Sequence, residues 1–415
     1  MSELGRVLRL EARRTALLVA VPLLTAVGVV TAWLSLAHDV AYWDDSVAAL
    51  VNAVRLLGPA AAGLSAWVAV RERRLDYLRD LTPRSPATAA LLDMVLLAAA
   101  ALVAYAGVTA VVAVDTLLRD QAGEPQLLGV VAGGVALVLH VVVGYLAGRA
   151  VPHLATAAVV VAATWAWAQL RVPGRSWWSL LPPAAFDRVE LYTGLRGEVL
   201  AAQALWAAGL AAVLVLTYVW ATTRRPWAVV PLAAALALTG MATVRLAESE
   251  GRAVGPVATG TTCSQWPITI CVHPALSEAL PGLMAATTPL AARLRGTPGE
   301  FTRVEQRPAG APAVVSGGVA GIHLDDLSTG YEARAVTQIR NGLVNAQACA
   351  APRRPAAGEY RAMVDAWLLG AEPPAISDAR AARAFGAWTE QRRRVWLRAN
   401  FAGYRRCALT PRAFR

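Results

Sequence analysis

The sequence has 415 residues, of which 56% are hydrophobic and only 16% are charged, and its mean hydropathy is +0.46. This composition excludes a chain made only of ordinary soluble domains and indicates a protein that lies largely in a bilayer. The net charge of +11 comes entirely from arginine, because the chain contains no lysine. Arginines at the ends of apolar spans account for that charge, so no nucleic-acid partner is expected.

Seven apolar stretches lie in the first part of the chain, and each is long enough, or nearly so, to cross a bilayer core of about 30 Å. They cover residues 15–37, 47–70, 87–114, 127–146, 154–170, 200–220 and 227–244. The first is longer than the apolar part of a signal peptide and further spans follow it, so we interpret it as a retained helix. The sequence therefore predicts an all-α membrane protein with a six-helix core, 15–222, and a seventh transmembrane helix, 227–244.

Arginines in the loops predict the orientation of these helices. If the N-terminus is cytoplasmic, the inner segments hold twelve arginines and the outer loops hold five. Arginine-rich loops resist translocation, which favours this arrangement. An odd number of spans then places residues 259–415 outside the cytoplasm, after a linker at 245–258. We expect a multi-pass protein of the plasma membrane with an extracytoplasmic C-terminal domain.

All cysteines of the chain lie in that C-terminal region: Cys263, Cys271, Cys349 and Cys407. An even number of thiols confined to one translocated domain predicts two disulfides in an oxidising compartment. Four cysteines allow three pairings, and a bond between Cys263 and Cys271 would close a short loop and leave Cys349 with Cys407. Metal binding is not expected, because the usual zinc-ligand spacings are missing from the sequence.

The C-terminal region is expected to be an α+β domain that is mostly helical. Alternating residues near 301–306 predict a strand, and the segments 331–350, 358–369 and 377–407 predict helices.

Catalytic motifs are not apparent in this domain. His273 and His323 belong to no metalloprotease motif, and no G-x-S-x-G sequence occurs. Asp325 and Asp326, beside His323, fit a loop turn or a helix cap. We therefore expect no catalytic residue and no cofactor bound by this chain.

Four ionisable residues fall within the predicted spans or at their ends: Arg55, Asp93, Asp115 and His140. Burying a charge in a bilayer is costly, so such residues are functional candidates by default. Arg55 and His140 lie inside their spans, whereas Asp93 and Asp115 lie near opposite ends of the third span and are expected to reach water. Arg55 is expected to snorkel to the interface or to pair with a carboxylate such as Asp115.

The segment after the second span, 71–84, has the sequence RERRLDYLRDLTPR. Leu75, Leu78 and Leu81 recur at nearly helical spacing, and Pro83 ends the pattern. This predicts a short amphipathic helix between two spans. Such a helix either lies on the inner leaflet or docks into a cytoplasmic partner.

Three features of the first 222 residues together resemble the type-2 ABC exporter permeases. The charged run Arg71, Glu72, Arg73 and Arg74, followed by a short helix that ends in Leu-Thr-Pro-Arg, looks like the coupling region of that family. Residues 1–14 resemble its cytoplasmic amphipathic interface helix. The aromatic and apolar residues of the loop 171–199, between the fifth and sixth spans, suggest short helices that dip into the outer interface, which resembles the re-entrant pair of that family. A seventh helix and an outer domain depart from the six-helix pattern and look like actinobacterial relatives.

The resemblance implies the permease subunit of an ATP-driven exporter that moves a hydrophobic or amphipathic cargo, such as a lipid, a peptide or a secondary metabolite. A chain without lysine cannot contain the phosphate loop G-x-x-x-x-G-K-[ST]. ATP and Mg would therefore be held by a separate nucleotide-binding subunit. The residues implied in its docking are Arg71, Glu72, Arg73, Arg74, Leu75, Leu78 and Leu81.

Two permease halves, as a homodimer or a heterodimer, would form the pathway through the lipid bilayer. The alternative is a membrane-anchored extracytoplasmic receptor or assembly factor without transport activity, in which the spans only hold the outer domain.

Overall fold

The computed structural model describes residues 17–36, 40–73, 86–119, 122–224, 226–344 and 355–415. The chain divides into two compact units, Met1–Val257 and Ala258–Arg415. The first unit is a bundle of helices, and the second combines a small sheet with helices.

The described part of the first unit contains seven helices. They are α1 (Leu17–Ser35), α2 (Trp43–Arg73), α3 (Pro86–Leu117), α4 (Leu127–Ala150), α5 (Ala155–Gln169), α6 (Gly197–Thr223) and α7 (Val229–Glu248). Six are long and apolar enough to cross a bilayer, whereas α5 is a shorter apolar helix of 15 residues. At 1.5 Å per residue, α5 is about 22 Å long, less than the ~30 Å hydrocarbon core. The predicted all-α membrane class is confirmed, but among the described residues six helices, not seven, are long and apolar enough to span a bilayer.

The chain continues along α2 after α5 ends. Val161 of α5 lies against Gly63 of α2. The connecting segment, which we define as residues 170–196, then follows α2 towards its N-terminus, where the Leu195 N–H reaches Asp44. Helix α5 and the connecting segment together therefore extend along α2 as far as its N-terminus, a distance that each of the other helices crosses as one continuous helix.

The helix termini gather at two opposite ends of the bundle. At the first, which we call the Asp44 end, Gly129 of α4 packs against Val47 of α2. At the second, the Arg73 end, the Arg73 side chain donates a hydrogen bond to the carbonyl oxygen of Arg149. Helices α2 and α4 therefore lie side by side and in the same direction.

The chain leaves the first unit at the Asp44 end. After α7, strand β2 (Val254–Pro256) pairs antiparallel with β1 (Thr193–Leu195), which lies in the connecting segment. Residues 245–258, expected to be a linker, thus contain the last turn of α7 and all of β2.

Close contact between α2 and α4 depends on two glycines. Gly144 and Gly148 lie one turn apart on α4, and a Cβ atom on either would overlap a backbone carbonyl oxygen of α2, that of Ala62 or that of Ala66. Small residues at this spacing let two helix backbones touch in a bilayer, where packing rather than the hydrophobic effect holds helices together.

The other G-x-x-x-G step of α4, Gly129 and Gly133, has a spacing that is compatible with helix packing or dimerisation. Gly129 faces Val47 of α2, and Gly133 faces Tyr105 of α3. Both glycines thus contribute to packing within this chain.

The C-terminal unit is built on a mixed five-stranded sheet with the order β3-β4-β5-β7-β6. Its strands are β3 (Thr262–Ser264), β4 (Thr269–Val272), β5 (Arg303–Gln306), β6 (Val315–Ser316) and β7 (Val319–Ile322). Helix α8 (Ala279–Leu294) connects β4 to β5, which run parallel as such a crossover requires. The strand predicted near 301–306 is thus found as β5.

Four further helices complete the described part of the C-terminal unit: α9 (Tyr331–Gly342), α10 (Pro355–Leu369), α11 (Ala379–Ala387) and α12 (Glu390–Arg405). The helix expected over 377–407 is interrupted between α11 and α12. There the Thr389 hydroxyl accepts a hydrogen bond from the Arg392 N–H at 3.3 Å and so caps a new helix.

Cys263 and Cys271 form a disulfide, as one of the predicted pairings requires. They stand directly opposite each other on the antiparallel strands β3 and β4, with their Cα atoms 4.1 Å apart. Cys407 is disulfide-bonded as well. Cys349 lies outside the described residues.

Replacement of Gly144 by leucine should force α2 and α4 apart. Overpacking of a tight contact costs about 1–3 kcal/mol, so we expect lower thermal stability of the full chain in detergent. Gly240 is a matched control, because it lies on α7 with open space around the position of a Cβ atom. Equal melting temperatures for Gly144→Leu and Gly240→Leu would contradict this account of the helix contact.

Candidate functional site

The connecting segment is held inside the first unit by three polar side chains of α2. The carboxylates of Asp44 and Asp45 accept hydrogen bonds from the N–H groups of Leu195, at 2.8 Å, and Val189, at 3.1 Å. The Asn52 side chain both accepts from the Phe186 N–H and donates to the Phe186 carbonyl oxygen, at 3.0 Å each. Asp44 and Asp45 are each only 5% exposed.

The sequence of the connecting segment explains why it needs these partners. Pro173, Pro182 and Pro183 prevent a continuous helix. The backbone groups that a helix would satisfy internally must then be satisfied by other parts of the protein, because lipid offers no hydrogen bonds. The apolar residues of the segment, such as Leu180 and Phe186, are buried.

The short helices expected in this loop are reduced to one 3₁₀ turn, Trp177–Leu180. The tryptophans of that turn, Trp177 and Trp178, are each 37% exposed. Partly exposed tryptophans are typical of protein surfaces at the level of lipid headgroups. The segment is therefore an irregular, polar-anchored chain rather than a pair of regular helices.

Two arginines meet at the C-terminal end of α5. Arg55 of α2 donates from Nη2 to the carbonyl oxygen of Ala168, at 2.8 Å, and to that of Arg171, at 3.4 Å. Arg171, in the connecting segment, is 1% exposed. Its guanidinium carbon lies 4.3 Å from the ring centre of Trp167, and its Nη1 is 3.5 Å from the carbonyl oxygen of Pro183. Within the described residues, neither arginine has a carboxylate partner.

Of the two expectations for Arg55, snorkelling to the interface or pairing with a carboxylate such as Asp115, the pairing with Asp115 is not found. Asp115 instead forms an ion pair with Arg119, one helical turn later, at 2.9 Å. Arg55 satisfies part of its hydrogen-bonding capacity at the C-terminus of α5, where the carbonyl groups carry partial negative charge. In the sequence, Arg171 is one of the five arginines of the outer loops, and no local pattern indicates its burial beside Arg55.

His140 of α4 lies close to the same cluster. It is 5% exposed, and its Nδ1 is 2.7 Å from the carbonyl oxygen of Ala136. A Cβ atom on Gly58 of α2 would come within 2.9 Å of the imidazole ring, so glycine is required there for the ring to fit.

Asp93 does not reach water, contrary to expectation. It is 8% exposed, and the Tyr145 hydroxyl of α4 donates a hydrogen bond to its Oδ2 at 2.8 Å. Asp93 thus belongs to the contact between α3 and α4 and is not part of the arginine pair at the end of α5. The described residues contain no group of three or more potential metal ligands.

The residues implied in ATPase docking are described only in part. Arg71, Glu72 and Arg73 form the last turn of α2, where Arg71 lies over the Trp67 ring at 5.6 Å and Glu72 is buried. The remaining four lie outside the described residues: Arg74, Leu75, Leu78 and Leu81.

In the C-terminal unit, the histidines and acidic residues considered for catalysis have structural contacts. His273 Nδ1 accepts from the Ala275 N–H at 3.2 Å, and burial lowers the pKa of His273 to about 4, so the ring is neutral. Asp326 accepts from the Ser328 N–H and hydroxyl, at 3.0 and 2.6 Å. His323 Nδ1 lies 3.2 Å from the carbonyl oxygen of Arg307.

This unit also contains a cavity of about 460 Å³ between α10, α11 and the start of α12. Its lining includes the aromatic residues Trp367 and Phe385 and the charged residues Arg293, Glu390 and Arg393. A volume of this size is in the range of small-molecule sites.

Replacement of Asn52 by leucine tests the anchoring of the connecting segment. It leaves two buried backbone groups of Phe186 without partners, so we expect a loss of about 2 kcal/mol or more. The predicted readouts are a lower melting temperature in detergent and faster proteolysis within 170–196. Thr217→Val is the control, because the Thr217 hydroxyl bonds only to its own helix. Unchanged proteolysis in Asn52→Leu would contradict the proposed anchoring.

Comparison with protein-family models, with curated proteins and with solved structures gives no match to this chain. The function is therefore argued from the geometry of the bundle and from the sequence.

Proposed function

We propose that the chain is the membrane-spanning permease subunit of an ATP-driven exporter of the type-2 ABC class. The observation that carries the proposal is the path of the chain between α5 and α6. A short helix, α5, is followed by an irregular segment that reaches the Asp44 end at Ser176, which lies against Gly251 beyond α7. The segment then dips to Asn52 of α2 and comes back to Asp44 before α6 begins. This path resembles the re-entrant region that precedes the last core helix in that class.

The distribution of charge supports an orientation for such a permease. The Arg73 end carries Arg71, Arg73 and Arg149, whereas Asp44 and Asp45 lie at the opposite end. With the Arg73 end in the cytoplasm, the chain enters its C-terminal unit on the outer side. The disulfide between Cys263 and Cys271 suits that compartment, because disulfides persist where thiols are oxidised.

The ATPase would be a separate subunit that carries ATP and Mg and docks at the Arg73 end, where segment 71–84 connects α2 to α3. A second permease, identical or not, would complete the pathway. The cargo would be hydrophobic or amphipathic, because the bundle interior is lined mainly by alanine, valine and leucine.

The alternative is a membrane-anchored receptor or assembly factor. The cavity of about 460 Å³ in the C-terminal unit favours it, since a receptor needs a ligand site outside the bundle. A tight ligand of this cavity, together with the absence of any associated ATPase, would support the receptor over the exporter.

Docking of the ATPase is tested by co-purification. The chain, solubilised from its native membrane, should elute with ATP-hydrolysing activity. Replacement of Leu75, Leu78 and Leu81 by aspartate should remove that activity, because the loss of apolar anchors costs about 2 kcal/mol or more, roughly thirtyfold in affinity.

Leu118→Asp is the control for added charge, because Leu118 is 82% exposed and follows α3 at the Asp44 end. It should elute with the ATPase as the unmodified chain does. Full retention of the ATPase by the triple variant would count against docking through this segment. If no preparation of the chain contains an ATPase, the result would favour the alternative function as a receptor.

A further inference from the structure

Among the residues that the structure describes, three N–H-bearing nitrogens of the buried arginine pair have no hydrogen-bond partner. They are Nε of Arg55 and both Nε and Nη2 of Arg171. Each is closed to solvent in this structure. Ionised groups that are buried and left unsatisfied are strongly unfavourable, and in a membrane-spanning bundle they mark sites of function.

The free edge of Arg171 has the shape of an oxyanion receptor. Nε and Nη2 form one side of the guanidinium group, where two N–H bonds point in parallel. This fork matches two oxygens of a carboxylate or a phosphate. The rest of the group is engaged, because Nη1 is directed to Pro183 and one face lies over Trp167. The fork is therefore held in a fixed direction.

No carboxylate among the described residues forms an ion pair with either arginine of this site. Arg55 Nη2 lies 3.4 Å from the carbonyl oxygen of Arg171, so two positive side chains lie at the same end of α5. The carbonyl groups at the end of α5 supply only about half a negative charge. Asp44 and Asp45 accept hydrogen bonds from backbone N–H groups of Leu195 and Val189. An anion is thus the group that this cluster lacks.

We propose that Arg171 and Arg55 bind the carboxylate or phosphate group of an amphipathic molecule inside the bundle. The Arg171 fork holds two oxygens, and Arg55 Nε adds a third donor. The assignment of this molecule as the exported cargo rests on the proposed function. The proposal that it binds to the two arginines does not depend on that function. Because the donors are closed to solvent, the connecting segment, which supplies Arg171, must move to admit the ligand.

Binding is measured with the purified full chain in dodecyl maltoside, a neutral detergent. Dodecyl phosphate and inorganic phosphate are titrated separately by calorimetry. We expect dodecyl phosphate to bind. Arg171→Lys, which keeps the charge but lacks the fork, should weaken binding about tenfold or more, because charge-assisted bidentate bonds are lost. Arg171→Gln should abolish it. Arg175→Gln, on an exposed arginine of the same segment, should bind like the unmodified chain.

The two probes distinguish the source of the anion. Binding of dodecyl phosphate alone would support the proposal that the ligand is the headgroup of an amphiphile. Equal binding of dodecyl phosphate and inorganic phosphate would show that the site binds a free anion and would overturn the assignment to an amphiphile. Failure of both probes, or equal affinity in the unmodified chain and Arg171→Lys, would overturn the site. If Arg171→Gln does not fold, Arg171→Lys decides. No ATPase is present, so a failure here leaves the docking test of the permease unaffected.

Discussion

A polypeptide in a bilayer core must satisfy its backbone N–H and C=O groups from within the protein, and the first unit is arranged around this requirement. Six of its helices satisfy it by their own hydrogen bonds. Helix α5 ends early, and the connecting segment that follows depends on α2 instead. Asp44, Asp45 and Asn52 of α2 supply the partners of its backbone. Without these side chains, an irregular segment could not remain buried beside the helices.

The irregular path has a chemical consequence, because it brings a second arginine into the bundle. Arg171 follows α5 directly and lies against Trp167, one turn back, while Arg55 reaches the carbonyl groups at the end of the same helix. The helix end that is stabilised by Arg55 is thus also the place where positive charge accumulates. The contacts of Arg171 with Trp167 and Pro183 therefore have two effects. They hold the start of the connecting segment, and they fix the direction of the remaining N–H donors of Arg171.

Composition and spacing were sufficient to predict the membrane class, the approximate positions of the helices and the disulfide at Cys263, because these depend on local runs of residues. The end of α5 and the burial of Asp93 could not be predicted in this way. Asp93 is buried by a hydroxyl from another helix, at Tyr145. Asp44 bonds to the backbone of Leu195, 151 residues later, and the backbone carbonyl of Arg171 accepts from Arg55, 116 residues earlier. Periodicity carries no information about such pairs.

We propose that the bundle has an outer Asp44 end and a cytoplasmic Arg73 end. Single cysteines in place of Arg175, near the first end, and Arg224, at the end of α6, test it directly, because both positions are exposed. In intact cells, a membrane-impermeant maleimide should label Arg175→Cys and should label Arg224→Cys only after the membrane is opened. Labelling of Arg224→Cys alone in intact cells would contradict the account.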